Sequence, residues 1–163
     1  IRDRLRSRGL GDVYKRQNAH GGGILLFDSK YYWFGEHRPA KGFSTEVGVT
    51  CYSSTDLCNW RYEGVALSVS EEAGNEIEKG CIMERPKVIY NKRTKKFVMW
   101  FHLELKGKGY EAARAGVAVS DSPTGPYCFV SSSRVCPGIR KNGTCSGIWN
   151  SLKNGGHPSG ERL

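Results

Sequence analysis

Short runs of alternating apolar and polar residues, separated by turn residues, follow one another from residue 23 to residue 133. The segments GILLFDSKYYWFGEH (23–37) and PKVIYNKRTKKFVMWFH (86–102) each contain two such runs around a polar turn. Two short runs of period two that flank a turn are typical of a β-hairpin. The pattern therefore predicts two hairpins in an all-β chain.

A third and a fourth strand are predicted after each hairpin. The third strands begin in VGVTCYSSTDLCNW (47–60) and AGVAVSDSPTGPY (115–127), and the fourth are WRYEGVAL (60–67) and YCFVSSS (127–133). Equivalent residues recur 66 to 68 positions apart, as Gly48 and Gly116 do. This spacing indicates one four-stranded antiparallel unit that is used twice.

An antiparallel sheet of four strands cannot bury both of its faces alone, and a β-propeller solves this by repeating such sheets around an axis. Two units do not close a ring. The sequence therefore predicts about two blades of a larger propeller, with blade one at about 18–70 and blade two at about 81–135. A small β-sandwich is the alternative, which the regular repeat disfavours.

Charge does not point to a nucleic-acid partner once its distribution is considered. The net charge of +9 divides into +4 over residues 1–17, +3 over residues 138–163 and only +2 between them. A basic nucleic-acid binder would depend on the two ends alone. No apolar run approaches the roughly 18 residues of a membrane span, so neither nucleic acid nor a membrane is expected as a partner.

The two ends differ from the middle in other ways. SRGLGDVYKRQ (7–17) resembles a translated sequencing adaptor, so residues 1–17 are interpreted as a non-native segment. Residues 138–163 are rich in Gly, Asn and Ser and are interpreted as an irregular or out-of-frame tail. A genuine flexible C-terminal tail is the alternative for them.

The six cysteines show no CxxC pair and no zinc spacing. Most are expected to be buried thiols, and a disulfide between Cys51 and Cys58 is the less favoured alternative. No metal site is predicted from them.

Four segments together resemble a known family: NAHGGGILLFDSKYYWFGE, VGVTCYSSTDLCNW, ERPKVIYNKRTKKFVMWFH and AGVAVSDSPTGPYCFV. They are similar to the first two blades of the five-bladed propeller of glycoside hydrolase family 43, in its exo-β-1,3-galactanase or β-galactosidase-like subgroup. The resemblance covers residues 18–137. It implies a glycosidase that acts with inversion on an oligo- or polysaccharide with terminal β-galactose, and a secreted or periplasmic location for the complete protein.

The segment MERPKV (83–88) carries the most specific candidate residues. Because Pro86 follows, Arg85 is expected to be extended, with Glu84 and Arg85 pointing to opposite sides. The resemblance implies that Glu84 tunes the pKa of the general acid and orients it. It also implies that Arg85 binds sugar hydroxyls. A salt bridge at the start of a strand is the alternative for the pair.

Other candidates come from equivalent places in the two repeats. Glu36 resembles a subgroup residue that binds the terminal galactose, and His102 matches it by position only. His20, where the first innermost strand begins, binds a sugar hydroxyl or has a purely structural role. The run Gly21–Gly23 is expected to allow close backbone packing, because it lacks the Lys-Ser/Thr of a phosphate loop.

Two further expectations concern packing. Trp33 and Trp100 have the spacing of core strand residues, which favours burial between blades over sugar stacking. Glu104, Glu111 and residues 106–108 are predicted to form a solvated loop.

The catalytic set is incomplete in this sequence. Inverting glycosidases need a carboxylic acid and a carboxylate base about 6.5 to 9.5 Å apart. In most of the family an aspartate at the start of the first blade acts as the general base, whereas this chain has Asn18–Gly21 there. The galactanase-like subgroup also lacks that aspartate. The family's acid follows RDM and DDDGK segments, and nothing after Pro137 matches them.

This chain is therefore predicted to be inactive by itself, and a non-catalytic carbohydrate-binding propeller is the alternative function. Members of the family hold a calcium ion at the propeller axis. The resemblance therefore allows such an ion in the complete propeller. The sequence shows no ligand cluster for such an ion, so no cofactor is predicted.

Overall fold

The protein folds as two four-stranded antiparallel sheets, one for each sequence repeat. The structure is a computed structural model that describes residues 19–39, 41–42 and 44–134, so the expectations for residues 1–17 and 138–163 lie outside it. The strands are β1 (His20–Phe27), β2 (Lys30–Glu36), β3 (Gly48–Ser54), β4 (Arg61–Ser68), β5 (Ile82–Asn91), β6 (Lys96–Glu104), β7 (Arg114–Ser120) and β8 (Cys128–Ser133).

Each sheet is a simple meander, in which every strand pairs with the next one along the chain. The first hairpin turns through Asp28 and Ser29, whose φ angles of 50° and 58° are both positive. Two central residues with positive φ match the right-handed twist of the flanking strands. The predicted four-stranded antiparallel unit, used twice, is confirmed.

The two sheets pack against each other with β5 lying on β1 and β2. Aromatic side chains cross the junction, and the rings of Phe27 and Phe97 meet edge to face with centroids 4.9 Å apart. The fully buried side chains of this core include Phe34, Val49, Leu67, Met83, Met99 and Leu103. One face of each sheet is thereby removed from water.

The glycines of β1 let the two sheets approach closely. A Cβ atom on Gly23 would lie 2.7 Å from Lys87 Cδ and 2.9 Å from the carbonyl oxygen of Pro86. Lys87 Nζ also donates a hydrogen bond of 2.7 Å to the carbonyl oxygen of Gly22. The expected close backbone packing at Gly21–Gly23 is therefore confirmed.

The opposite faces are only partly exposed, and β3 of the first sheet is buried along its whole length, on both faces. Trp100 is 48% exposed, so it is not buried between the two sheets of this chain, and its burial against a further blade stays a prediction. The reason for its exposure is the alternation along β6, where Phe97, Met99 and Phe101 face the first sheet and Trp100 faces away. Trp33 is half-buried and packs edge to face against Trp60. The other large apolar side chains exposed on the strands are Ile24, Leu26, Tyr62, Ile89 and Val130.

The described cysteines are all free thiols. Cys51 and Cys81 are buried, and burial raises the pKa of each thiol to about 12. Cys58 is exposed, so the alternative disulfide with Cys51 is not formed. In the part of the chain that the structure describes, no helix is long and apolar enough to cross a bilayer.

Candidate functional site

An acid faces a histidine on one rung of each hairpin. In the first hairpin His20 of β1 pairs with Glu36 of β2, and in the second Glu84 of β5 pairs with His102 of β6. In both hairpins the register shifts directly after this rung. The two rungs are therefore equivalent positions, as the sequence repeat predicts for Glu36 and His102.

The bulge in β5 changes the expected geometry of Arg85. The register shifts between Glu84 and Lys87, and Arg85 adopts a φ of 53° instead of the extended conformation. The prediction of an extended Glu84–Arg85 pair is therefore wrong. A bulge inserts an unpaired residue and re-aims the side chains around it, and Pro86 loses no ladder bond there because it has no N–H.

The carboxylates of Glu36 and Glu84 are joined by Arg38, which follows β2. Arg38 Nε donates to Glu36 Oε1 at 2.8 Å, and Arg38 Nη2 lies 2.7 Å from the same oxygen. Arg38 Nη2 is also 3.5 Å from Glu84 Oε1. We call Glu36, Arg38 and Glu84 the carboxylate cluster, and it brings one acid from each sheet to a single guanidinium.

The carboxyl group of Glu36 lies in an unusual electrostatic environment. Its side chain is 4% exposed, and this burial raises its pKa above the ordinary value. The Arg38 guanidinium lowers the pKa and so opposes the burial, the charge on Glu84 raises it, and His20 lowers it. Buried, perturbed carboxyl groups of this kind are concentrated at functional sites.

Gly21 makes room for this cluster. A Cβ atom on Gly21, whose φ is 57°, would lie 3.5 Å from both Glu36 Oε1 and Arg85 Cγ. Both side chains therefore approach the backbone at Gly21. The structure thus brings four of the predicted site residues to one place: Glu36, Glu84, Arg85 and His20.

His102 has different neighbours. Its Nε2 lies 3.0 Å from Glu104 Oε1, and its ring is 5.6 Å from the ring of Tyr110. Glu104 is the last residue of β6 and is buried, so the prediction that it belongs to a solvated loop is wrong. β6 continues two residues beyond His102, and the carboxylate of Glu104 is available as its partner.

An open cleft of about 590 Å³ lies on the exposed side of the second sheet. Its lining combines basic and aromatic side chains and does not include Glu36, Arg38 or Glu84. Arg85 lines the cleft and also lies next to Gly21. The other charged or aromatic side chains of the lining are Lys87, Trp100, Phe101, His102, Tyr110, Arg114 and Arg134.

Two residues of the site were missed by reasoning from the sequence. Arg38 lies in the irregular segment after β2, where no strand period places its side chain. Its only signal is a basic residue two positions after a candidate acid. Glu104 was missed because β6 was expected to end at His102, and the alternation of MWFHLE (99–104) was the available signal.

The described residues do not form a site for a metal ion. No group of three or more His, Cys, Asp and Glu side chains comes together in residues 19–39, 41–42 and 44–134. The axial calcium ion that the family resemblance allows for the complete propeller stays a prediction, and no step of the chemistry is derived through it.

Comparison with known proteins gives relatives only among solved structures. A GH43 β-1,3-galactosidase solved with galactodeoxynojirimycin is 71% identical, with a TM-score of 0.72 over 79% of this chain and 38% of that chain. An exo-β-1,3-galactanase from Phanerochaete chrysosporium, solved with β-1,3-galactotriose, is 42% identical, with a TM-score of 0.66 over 72% of this chain and 26% of that chain.

An exo-β-1,3-galactanase from Clostridium thermocellum is 44% identical, with a TM-score of 0.63 over 72% of this chain and 24% of that chain. No family model and no curated protein sequence matches the chain. This chain thus spans well under half the length of each of these relatives. Since the relatives are propellers, the two stacked sheets are part of a propeller.

Proposed function

This chain belongs to glycoside hydrolase family 43, and we propose that the protein of which it is a part removes terminal β-1,3-linked galactose with inversion. The observation that carries the proposal is 71% identity to a β-1,3-galactosidase solved with galactodeoxynojirimycin. Because the chain spans 38% of that relative, the proposal concerns the complete protein.

The carboxylate cluster supports a sugar-binding role. Glu36 offers a buried acceptor for hydroxyl groups, and Arg85, which follows Glu84, carries an exposed guanidinium that donates. His20 and His102 stand on the equivalent rungs and supply further donors or acceptors for sugar hydroxyls. We assign Glu84 to tuning the pKa of the general acid and orienting it, as the family resemblance implies.

Inversion needs a general acid on one side of the scissile bond and a base on the other. In this proposal the general acid does not come from residues 1–163, because the third-blade motifs that carry it do not occur in the sequence, and the base stays unassigned. The chain therefore supplies part of the galactose pocket and is inactive alone.

A graft tests the proposal. Residues 19–134 replace the corresponding residues of the galactosidase that is 71% identical, so that its remaining blades complete the ring. We expect the grafted galactosidase to release galactose from β-1,3-galactan, and the same graft with Glu84→Gln to lose at least about 100-fold in kcat, as for loss of general-acid function.

The outcomes separate the two functions. A graft that folds and binds galactose without releasing it from galactan would favour the carbohydrate-binding propeller and would contradict the enzyme. A graft that releases galactose as well as its parent with Glu84→Gln in place would contradict the role of Glu84. The control is Glu63→Gln, which removes a carboxylate of the first sheet that is paired with Arg61 and Lys30, outside the cluster.

A further inference from the structure

We propose that Arg38 is a positioning residue of the galactose pocket, whose guanidinium fixes Glu36 and Glu84 relative to each other. The inference rests on the proposed function. Arg38 contacts Glu36 Oε1 through Nε at 2.8 Å and through Nη2 at 2.7 Å, and Nη2 reaches Glu84 Oε1 at 3.5 Å. One cation thus joins an acid of the first sheet to an acid of the second.

The contacts of Arg38 leave one oxygen of Glu36 available. Nε and Nη2 of Arg38 both approach Glu36 at Oε1. An ionised carboxylate accepts hydrogen bonds through both of its oxygens. Arg38 therefore occupies one oxygen and presents the other to a sugar hydroxyl.

Arg38 also determines whether Glu36 is an acceptor. The side chain of Glu36 is 4% exposed, and a carboxyl group buried without a cation becomes protonated and then carries a donor. The other titratable groups that act on it are Glu84 from β5 and His20 from β1. Glu84 adds a like charge, so Arg38 is the direct contact that keeps Glu36 ionised.

Because Arg38 follows β2 and Glu84 belongs to β5, the ion pair crosses the junction between the two sheets. Without this cation the two carboxylates repel each other, and Glu84 loses the contact that ties it to Glu36. The orientation of Glu84 toward the general acid therefore depends on Arg38.

The test is a carboxyl titration of the complete 163-residue chain labelled with ¹³C at glutamate Cδ. An opposite charge in contact lowers a carboxyl pKa by about 1 to 3 units, so Arg38→Gln is expected to raise the midpoint of Glu36 by about that amount. Arg38→Lys keeps the charge on a single donor group. Its Glu36 midpoint is expected to lie between those of the unmodified chain and Arg38→Gln. Arg61→Gln is the matched control, because Arg61 pairs with Glu63 instead and should leave Glu36 unchanged.

The sign of the shift separates positioning from a general structural role. Burial is the largest cause that raises the pKa of Glu36, so a variant that merely loosens the fold exposes the carboxyl group and lowers its midpoint. An unchanged or lowered midpoint in both Arg38 variants would overturn the proposal.

A kinetic arm distinguishes this inference from the proposed function. In the grafted galactosidase, Arg38→Gln is expected to raise KM for β-1,3-galactan about tenfold, since one charge-assisted contact is worth about that factor, with partial recovery in Arg38→Lys. If the graft is inactive but the titration shift occurs, the proposed function fails and the placement of Arg38 stands. If the graft is active, and neither its KM nor the Glu36 midpoint changes in the Arg38 variants, only the positioning role fails.

Discussion

The division of the second sheet into a packed face and an exposed face is tested by a matched pair of valines. Val88 of β5 is 8% exposed and belongs to the core between the sheets, whereas Val130 of β8 is 57% exposed. The substitutions Val88→Ala and Val130→Ala remove the same two methyl groups from strands of one sheet. Any loss of intrinsic β propensity is therefore similar in both variants.

The difference expected between the two variants follows from burial. Each buried methyl group contributes about 0.8 kcal/mol, so Val88→Ala costs about 1.6 kcal/mol in transfer free energy, and a residual cavity raises the total to about 2 to 3 kcal/mol. At Val130 more than half of the side chain is already in water, so the cost there is expected to stay below about 0.7 kcal/mol.

The assay is urea unfolding followed by far-ultraviolet circular dichroism at two low protein concentrations, so that association is recognised. With a slope of about 2 kcal/mol per molar urea, Val88→Ala should lower the midpoint by about 1 M and Val130→Ala by less than about 0.4 M. Equal shifts, or a larger shift for Val130→Ala, would refute the assignment of the core face to β5.

Three further predictions concern packing, solubility and pH. Gly23→Ala should destabilise the chain by about 1 to 3 kcal/mol in the same assay, since its Cβ would meet Lys87 Cδ at 2.7 Å; no loss would contradict the close approach of β1 to β5. Because exposed apolar faces promote association, the unmodified chain should be poorly soluble. The double substitution Ile89→Thr with Trp100→Ser, on the exposed face of the second sheet, should reduce light scattering by the chain. Unchanged scattering would exclude that face as the cause of association. Burial raises the pKa of Glu36, so its contribution to stability is largest at low pH and is lost as the pH rises through its folded pKa. Glu36→Gln should therefore gain stability relative to the unmodified chain as the pH rises from the ordinary carboxyl pKa through the raised folded pKa, and a constant difference would contradict the raised pKa.

The repeat was predictable from the sequence because strand alternation and turn residues are local signals. Phe97, Met99 and Phe101 alternate with polar or exposed positions along β6, and this period of two is sufficient to place a strand. It does not say which face meets another sheet. Trp100 was assigned to the core for that reason, although the first sheet covers the opposite face of β6.

The site was predictable only where family motifs mark it. Glu84 and Arg85 stand out in MERPKV, but the bulge that gives Arg85 its positive φ depends on pairing with β6, which the local sequence does not encode. Arg38 was not predictable, because its role arises from contacts with two acids 48 residues apart in the chain. Long-range ion pairs leave no periodic signal in a single sequence.

Galactose release is the measurement that tests the central claim most directly, namely that this chain supplies part of a galactose pocket and no general acid. The purified 163-residue chain and the grafted galactosidase are incubated with β-1,3-galactan under the same conditions, and free galactose is quantified. The account predicts release by the graft and none above background by the chain alone. Measurable release by the chain alone, abolished by Glu84→Gln, would contradict it.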